Sequence, residues 1–258
     1  MGLNDTKETK VGVLDKAIAL LLVFSSGELA LTPQDLAERT GLPLPTVYRL
    51  AQALCEHGLL AKEGPRFRLG MTLFRLGMLV AEGIDVRRQA LPHLKWLNAQ
   101  TNENAELHIR QEETRLVVEV VSSPHNLRPF AAIGAPLPLH RGAAAKVLLA
   151  WLAAEQRATL IDTSIQRRDD HSSFSAVRFL AELDQVRLQG WSSSDSERFA
   201  GVSAIAAPIF AAGGEVAGAL TLVAPSARLG SEQRERYIPL VCEAARRASY
   251  DLGFTGHR

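Results

Sequence analysis

The sequence contains little that would mark a secreted, membrane-spanning or cross-linked protein. Only two cysteines occur in 258 residues, Cys55 and Cys242. They lie far apart in segments with helical spacing, so we expect small buried side chains in a reducing compartment. No apolar run reaches the roughly 18 residues that a spanning helix needs. The opening segment MGLNDTKETK lacks the apolar core of a secretory signal. These absences predict a soluble cytoplasmic protein with no membrane partner.

The patterns of common catalytic and metal sites are also missing. The sequence has no GxSxG, GxxxxGK[ST] or CxxC motif, and the glycines at Gly213 and Gly214 do not open a helix as a dinucleotide site requires. The seven histidines show neither HxxxH nor HxH spacing. Only His140 stands just before a predicted helix, and we expect backbone hydrogen bonds to satisfy it. We therefore predict no catalytic residue, no metal and no cofactor.

Net charge is only +1, but the charge is unevenly distributed. Residues 1–38 hold three lysines and six acidic residues, whereas residues 39–75 hold six basic and two acidic residues. A local basic patch of this kind is what contact with phosphates requires, although a solvated charged surface would have the same composition.

The basic region overlaps a segment that predicts two short helices joined by a tight turn, LTPQDLAERTGLPLPTVYRLAQALCEHGLL. Thr32 is a typical N-cap before Pro33, and Gly41 can adopt the positive φ that a sharp turn needs. Val47, Leu50 and Leu54 line one buried stripe of the second helix. This arrangement is typical of a helix-turn-helix, although an ordinary αα-hairpin uses the same turn chemistry.

The flanking segments favour the DNA-binding interpretation. Before the pair, residues 11–24 predict a supporting helix with Val11, Leu14, Ile18 and Leu21 on its buried face. After it, residues 59–70 predict a β-hairpin around Gly64-Pro65, so the whole forms a winged helix-turn-helix. The candidate DNA-contacting residues lie on the second helix and the wing: Thr46, Tyr48, Arg49, Gln52, Lys62, Arg66 and Arg68.

The remaining chain predicts a linker and an α+β domain. Residues 72–101 show helical stripes on both sides of Gly83, one of Leu73, Leu76, Leu79 and Val80 and one of Val86, Leu91, Leu94 and Leu97. The first stripe needs a partner surface and is predicted to dimerise. Beyond the linker, hairpins at 105–123 and 202–225, a strand at 127–133, and helices at 140–153, 174–190 and 231–253 predict an antiparallel sheet flanked by helices. Ser231 is the expected cap of the last helix. The polar segment SSSDSE at 192–197 is compatible with a solvated loop or a pocket rim.

We therefore predict three regions. Residues 10–72 form the winged helix-turn-helix, 73–100 the linker helices and 101–258 an effector-binding domain, with which the linker can also be grouped as 73–258.

Several segments, in this order and spacing, resemble the IclR family of bacterial transcriptional regulators. They are LAERTGLPLPTVYRLAQALCEHGLL, the wing ending FRLG, PLPLHRGAAAKVLLA, QGW followed by GVSAIAAPIF, and GALTLVAPSARL. The resemblance extends from about Val11 to Gly253. It implies a GAF-like C-terminal domain that binds a small metabolite, often an organic or aromatic acid. It also implies double-stranded operator DNA as partner and a homodimer or dimer of dimers.

The resemblance also implies an effector pocket, matched position by position to Leu137, Ala143, Ala144, Ser194, Val202, Ala204 and Thr221. Ser194 stands where related members can carry an acid, and Ala204 where they can carry Cys or Ser. Both changes reduce polar anchoring, so the effector of another member cannot simply be transferred. The small residues Ala143 and Ala144 would equally suit close helix packing.

The leading hypothesis is a ligand-responsive DNA-binding regulator that is not an enzyme. The alternative is a small-molecule-binding protein or enzyme whose N-terminal helices serve only for assembly; an architectural DNA binder would not need a second domain. From the residues, the effector, the operator, the direction of regulation and the choice between dimer and tetramer stay open.

Overall fold

A computed structural model of the chain describes residues 12–82, 85–129, 132–166 and 175–256. The chain divides into two compact units, with the boundary after Gly83. The helix at 85–101, which the sequence assigned to the linker, packs within the C-terminal unit. The predicted interruption at Gly83 lies outside the described residues, as do Val11 and the start of the helix predicted at 174.

The N-terminal unit contains four α-helices and one β-hairpin among its described residues. They are α1 (Val13–Leu22), followed by a 3-10 turn (Val23–Ser26), α2 (Pro33–Thr40), α3 (Leu44–Glu56), β1 (Leu60–Glu63), β2 (Arg66–Leu69) and α4 (Met71–Glu82).

Local hydrogen bonds and a left-handed glycine define the helix-turn-helix formed by α2 and α3. The Thr32 hydroxyl accepts a hydrogen bond from the Asp35 backbone N–H, and the Asp35 carboxylate accepts one from the Thr32 N–H. This reciprocal pair caps α2. Gly41 ends the helix at φ +67°, where a side chain would be strained. Val47 and Leu50 are buried against the unit's core, as the helical spacing predicted.

The supporting helix α1 buries a different face from the predicted one. Leu14 is 71% exposed and Ile18 is also exposed, whereas Leu20 and Phe24 are buried in the core beside half-buried Leu21. The prediction of Leu14 and Ile18 as inward-facing is therefore wrong. Apolar residues occur on nearly every side of α1, so spacing alone did not identify the side that meets α3.

The C-terminal ends of α3 and the wing are joined tightly to the start of α4. The Gly70 N–H donates to the Leu59 carbonyl at 2.8 Å, and the Thr72 N–H donates to the Gly58 carbonyl at 3.2 Å. The Thr72 hydroxyl also donates to the His57 carbonyl. A Cβ at Gly70 would collide with the Gly58 carbonyl, so this close approach requires glycine.

The C-terminal unit is built on a six-stranded antiparallel sheet with the order β5-β4-β3-β8-β7-β6. Its strands are β3 (Asn104–Gln111), β4 (Thr114–Val121), β5 (Pro136–Leu137), β6 (Ser192–Asp195), β7 (Val202–Phe210) and β8 (Val216–Pro225). Its helices are α5 (Asp85–Thr101), α6 (Ala143–Ala150), α7 (Ala154–Gln166), α8 (Ala176–Gln189) and α9 (Ser231–Asp251). The predicted α+β class and flanked antiparallel sheet are confirmed.

Helices cover both faces of this sheet. On one face, Leu107, Leu220 and Ile205 pack in a core with α5 and α9. On the other face, Ala206 and Ala219 pack with residues of α6 and α8. Because successive strand residues point to opposite faces, a side chain's place in the alternation decides which layer it meets.

Four details differ from the sequence-based predictions. The described residues of the strand predicted at 127–133 are not in a strand, and the short β5 pairs with β4 at Pro136–Leu137 instead. Helix α7 was not predicted. Helix α9 is capped by Gly230 rather than Ser231. The segment that begins at Ser192, for which a solvated loop or a pocket rim was expected, forms edge strand β6. Among the described helices, none is long and apolar enough to cross a membrane.

Candidate functional site

Helix α3 presents a polar surface opposite its buried stripe. Tyr48, Arg49 and Gln52 are exposed and Thr46 is half-buried, while the opposite side packs into the core. Tyr48 is 48% exposed, although it is a large aromatic residue. This is the arrangement of a recognition helix, whose outward side chains can reach base edges in the major groove.

The wing separates its basic residues onto two faces. In the hairpin register, Arg68 lies opposite Ala61 and Arg66 lies opposite Glu63, whereas Lys62 lies opposite buried Phe67. Directly paired residues share a face of an antiparallel hairpin. Arg66 and Arg68 therefore lie on the outer face, and Lys62 lies on the face that meets the helices. Phe67 also exchanges two backbone hydrogen bonds with Leu31, which anchors the wing to the unit.

A cavity of about 50 Å³ lies within the C-terminal unit, between the sheet and the start of α6. Strands β3, β6, β7 and β8 form its floor, and the segment after β6 forms one wall. Six of the seven residues that the resemblance implied line it: Ala143, Ala144, Ser194, Val202, Ala204 and Thr221. Leu137 does not line the cavity; it is buried on edge strand β5, which pairs with β4.

Charged and polar groups of the cavity wall were not predicted from the sequence. Glu106, His108, Arg115 and Arg198 all line it. Glu106 and His108 alternate with the apolar residues Ala105 and Leu107 along β3. This alternation could have predicted that the two polar side chains share one face of the sheet. Arg115 and Arg198 are distant in sequence and become neighbours of β3 only through folding.

Hydrogen bonds determine the proton position on His108. An Nη atom of Arg115 lies 2.7 Å from His108 Nδ1, and His108 Nε2 lies 3.1 Å from Glu106 Oε2. Because a guanidinium group can only donate, Nδ1 must accept. The proton of neutral His108 is therefore on Nε2, from which it is donated to Glu106.

Burial dominates the electrostatics of this group. The pKa of His108 is lowered to about 4, mainly by burial and also by the nearby Arg115 charge, while Glu106 acts in the opposite direction. Burial also lowers the pKa of Arg115 to about 9. At neutral pH His108 is therefore uncharged and Arg115 remains a cation. Burial lowers the pKa of Arg198 as well.

The cavity has an excess of positive charge. Two arginines and one glutamate are the ionised groups of its lining at neutral pH. Within the described parts of the chain, Arg115 forms no ion pair; its hydrogen-bond acceptors are the Pro138 carbonyl and His108. Helix α6 begins at the same cavity, and the positive end of its dipole adds to the preference for an anion.

An ion-pair network holds the wall that carries Arg198. The buried Lys146 amine lies 2.6 Å from Glu197 Oε1 and 2.8 Å from Glu182 Oε2. The other oxygen of Glu197 accepts a hydrogen bond from the Gly142 backbone N–H at 2.8 Å. Glu197 therefore ties the segment after β6 to the first turn of α6, and Arg198 is the next residue along the chain.

Two remaining predictions concern histidine and metal binding. Backbone partners were expected for His140; the structure places its Nδ1 2.8 Å from Ser164 Oγ, and its Nε2 accepts from the Arg141 side chain. Within the described residues, no cluster of three or more His, Cys, Asp or Glu side chains could hold a metal ion.

The buried neutral state of His108 predicts an acid-sensitive C-terminal unit. Between pH 6.5 and about 4, the unfolded chain binds a proton on this residue and the folded chain does not. Stability should therefore fall as pH drops through this window, by about 3 kcal/mol in total. His108→Gln should flatten this profile, and exposed His125→Gln should not. Urea unfolding can be followed by tryptophan fluorescence, since Trp96, Trp151 and Trp191 all lie in this unit. If the two variants showed the same dependence of stability on pH, His108 would not be the residue responsible for the acid sensitivity.

Comparison with known proteins places both units in one family. Residues 13–64 match the IclR helix-turn-helix domain, and residues 78–250 match the description "Bacterial transcriptional regulator IclR C-terminal". The chain is 31% identical over 223 residues to the HTH-type transcriptional regulator KdgR of Dickeya chrysanthemi, covering 85% of this chain and 73% of that protein. It is 30% identical over 223 residues to KdgR of Escherichia coli strain K12, covering 85% of each.

The fold is similar to that of solved structures. An IclR homolog from Microbacterium hydrocarbonoxydans, solved in complex with 4-hydroxybenzoate, superposes with a TM-score of 0.80 at 23% identity, over 93% of this chain and 99% of that one. Together with the helix-turn-helix and the helix-flanked sheet, the sequence matches show that the chain belongs to the IclR family of bacterial transcriptional regulators.

Proposed function

We propose that this regulator binds operator DNA through α3 and the wing and changes its DNA affinity when a small organic anion occupies the C-terminal cavity. It acts in the bacterial cytoplasm, where its DNA partner is located. Support for the DNA interface comes from the exposed polar face of α3 and the two arginines on the outer face of the wing. Arg66 and Arg68 would contact phosphates, and Thr46, Tyr48, Arg49 and Gln52 would lie near base edges.

The single observation that supports an anionic effector is the excess of positive charge in the described lining, where Glu106 is the one carboxylate facing Arg198 and buried Arg115. The Arg115 side chain is only 3% exposed, and its nearest ring partner is neutral His108. A buried charge is costly unless it is paired. A carboxylate ligand would supply the missing charge, with Arg198 and the α6 N-terminus as further contacts. Ala143, Ala144, Val202 and Ala204 would enclose its apolar part.

We also propose that the cavity is not catalytic. His108, the only histidine in its lining, is hydrogen-bonded to Glu106 and Arg115. Nucleophilic catalysis would require a hydroxyl or thiol within hydrogen-bond reach of such a base. Ser194 and Thr221 line the cavity, but no hydrogen bond joins either of them to His108 in the described structure.

We propose that the protein is a dimer, or a dimer of dimers, joined partly through α4. Six large apolar side chains of this helix are at least 42% exposed: Met71, Phe74, Leu76, Met78, Leu79 and Val80. A contiguous apolar surface of this kind marks a protein interface. Two linked recognition helices would also read two half-sites, which one helix-turn-helix cannot do.

The wing assignment predicts a selective change in salt dependence. Arg68→Ala should weaken binding to all DNA sequences about equally and flatten the log–log salt slope by roughly one unit per lost phosphate contact. Arg236→Ala is the charge-matched control, because it removes one exposed arginine of α9 in the C-terminal unit. Fluorescence anisotropy with promoter DNA at several salt concentrations measures both. An unchanged slope for Arg68→Ala would remove this residue from the interface.

The α4 surface predicts a change in assembly. Leu76→Glu combined with Leu79→Glu should shift the protein toward the monomer, because burying two carboxylates in an apolar interface is unfavourable. Leu29→Glu is the control, since Leu29 is 89% exposed outside α4. Sedimentation velocity at micromolar concentration separates the species. The proposal would be wrong if the Leu29 variant dissociated and the α4 variant did not. It would also be wrong if the wild-type protein were a monomer with full operator affinity.

The cavity assignment predicts reciprocal coupling between effector and DNA. A thermal-shift screen of small carboxylates, including 4-hydroxybenzoate, should identify a stabilising ligand. That ligand should change DNA affinity by about 5- to 150-fold, and DNA should change ligand affinity by the same factor. Ala144→Trp should abolish ligand binding and leave basal DNA affinity largely intact, whereas Arg110→Gln, outside the cavity on β3, should affect neither. Normal calorimetric binding by Ala144→Trp would place the effector elsewhere.

A further inference from the structure

A second, larger cavity opens in the C-terminal unit between the end of α8, strand β7, helix α9 and the residues that follow α9. Its volume is about 550 Å³. This lies within the range of small-molecule sites. No residue lines both this cavity and the one at the start of α6. The second cavity is therefore a separate candidate site.

Aromatic side chains form the floor and one side of this second cavity. The Phe210 ring lies 5.3 Å from the Trp151 ring, centroid to centroid and edge to face, and 5.0 Å from the Phe254 ring. Tyr250 also lines the cavity and is 67% exposed. The chain has only 15 aromatic residues in total, so four in one cavity is a marked concentration. Such a surface can stack against a planar ring.

The charges of the second cavity favour an acidic ligand. Its lining includes Arg187 and Arg246 and no carboxylate. Arg246 makes two hydrogen bonds to Glu243, at 2.8 and 2.9 Å, so its charge is balanced. Arg187 is exposed and forms no ion pair within the described residues. One guanidinium group at the rim is thus available to a carboxylate or sulfonate.

The floor of the second cavity is held in place before any ligand arrives. The Ser249 hydroxyl accepts a hydrogen bond from the Phe210 backbone N–H at 2.9 Å and donates to the Ala245 carbonyl at 2.8 Å. The first bond joins α9 to the end of β7, and the second orients the Ser249 hydroxyl within α9. Burial raises the pKa of the Cys242 thiol, so this wall residue is an apolar contact at neutral pH. Little ordering would be needed on binding, which favours affinity.

We propose that the second cavity binds a planar aromatic molecule with one acidic group. Its ring stacks on Trp151 and Phe254, and the acid pairs with Arg187. The assignment rests on the shape, aromatic lining and charge of this cavity and does not depend on the proposed role of the other one.

The test uses 2-naphthoate and its neutral analogue 2-naphthamide with the full-length protein. Binding is measured by calorimetry and by quenching of Trp151 fluorescence in a Trp96→Phe, Trp191→Phe background. Arg187→Glu should weaken naphthoate at least about tenfold and change naphthamide little, because only the acid contacts the guanidinium. Phe254→Ala should weaken both. Arg236→Glu, an exposed arginine of α9 outside the lining, should weaken neither.

A third variant separates the two cavities. Ala144→Trp fills the cavity at the start of α6 and should leave naphthoate binding, measured by calorimetry because the variant adds a tryptophan, unchanged. Loss of naphthoate binding in Ala144→Trp, with normal binding in Arg187→Glu, would overturn the proposal. The absence of naphthoate binding by the wild-type protein would also overturn it. Weaker self-association of Phe254→Ala in sedimentation would then identify the cavity as a contact between copies. Because Arg187 is exposed, its variant keeps the test informative even if Phe254→Ala unfolds.

Discussion

The C-terminal unit depends on one constraint, which is that both faces of a six-stranded antiparallel sheet must be buried. Helices α5 and α9 cover one face, where Leu107, Leu220 and Ile205 supply large apolar side chains. On the other face, the small residues Ala206 and Ala219 allow α6 to pack closely. Where α6 begins, the sheet carries polar side chains instead of large apolar ones. The space that this leaves is the cavity at the start of α6.

Polar side chains in a buried cavity must find partners, and here they do so only in part. Neutral His108 accepts from Arg115 and donates to Glu106, so each hydrogen-bonding position of the ring is used. A neutral ring cannot balance a buried guanidinium charge, however, and burial already lowers the pKa of Arg115 to about 9. The hydrogen bonds fix the geometry, and Glu106 offsets only one of the two guanidinium charges, those of Arg115 and Arg198. A site with this property favours anions over neutral molecules of the same shape.

How far the sequence predicts the structure depends on whether the signal is local. Thr32, Gly41 and the stripe at Val47 specify the helix-turn-helix through contacts a few residues apart, and the structure follows them. Six cavity residues were reached only through resemblance to a family. The sequence analysis missed Arg115 because this residue meets His108 only when β4 pairs with β3. A bulge between Leu107 and His108 also shifts the register of that pairing. Such long-range register is not visible in single-strand periodicity. The buried face of α1 was mispredicted for a related reason, since apolar residues on several sides left the choice to tertiary packing.

The short bonds between the end of α3 and the start of α4 have a mechanical consequence. Gly58 and Leu59, just beyond α3, hold Gly70 and Thr72 through backbone hydrogen bonds, and the contact leaves no room for a side chain at Gly70. The recognition helix α3 and the helix α4 are therefore expected to move together as one rigid body. In a dimer joined through α4, a small tilt of one α4 against the other is transmitted to the distance between the two α3 helices. Major grooves on one side of DNA recur every 34–36 Å or so. Such a rigid-body tilt can make the distance between the two α3 helices match the groove repeat or depart from it, without deforming either DNA-binding unit.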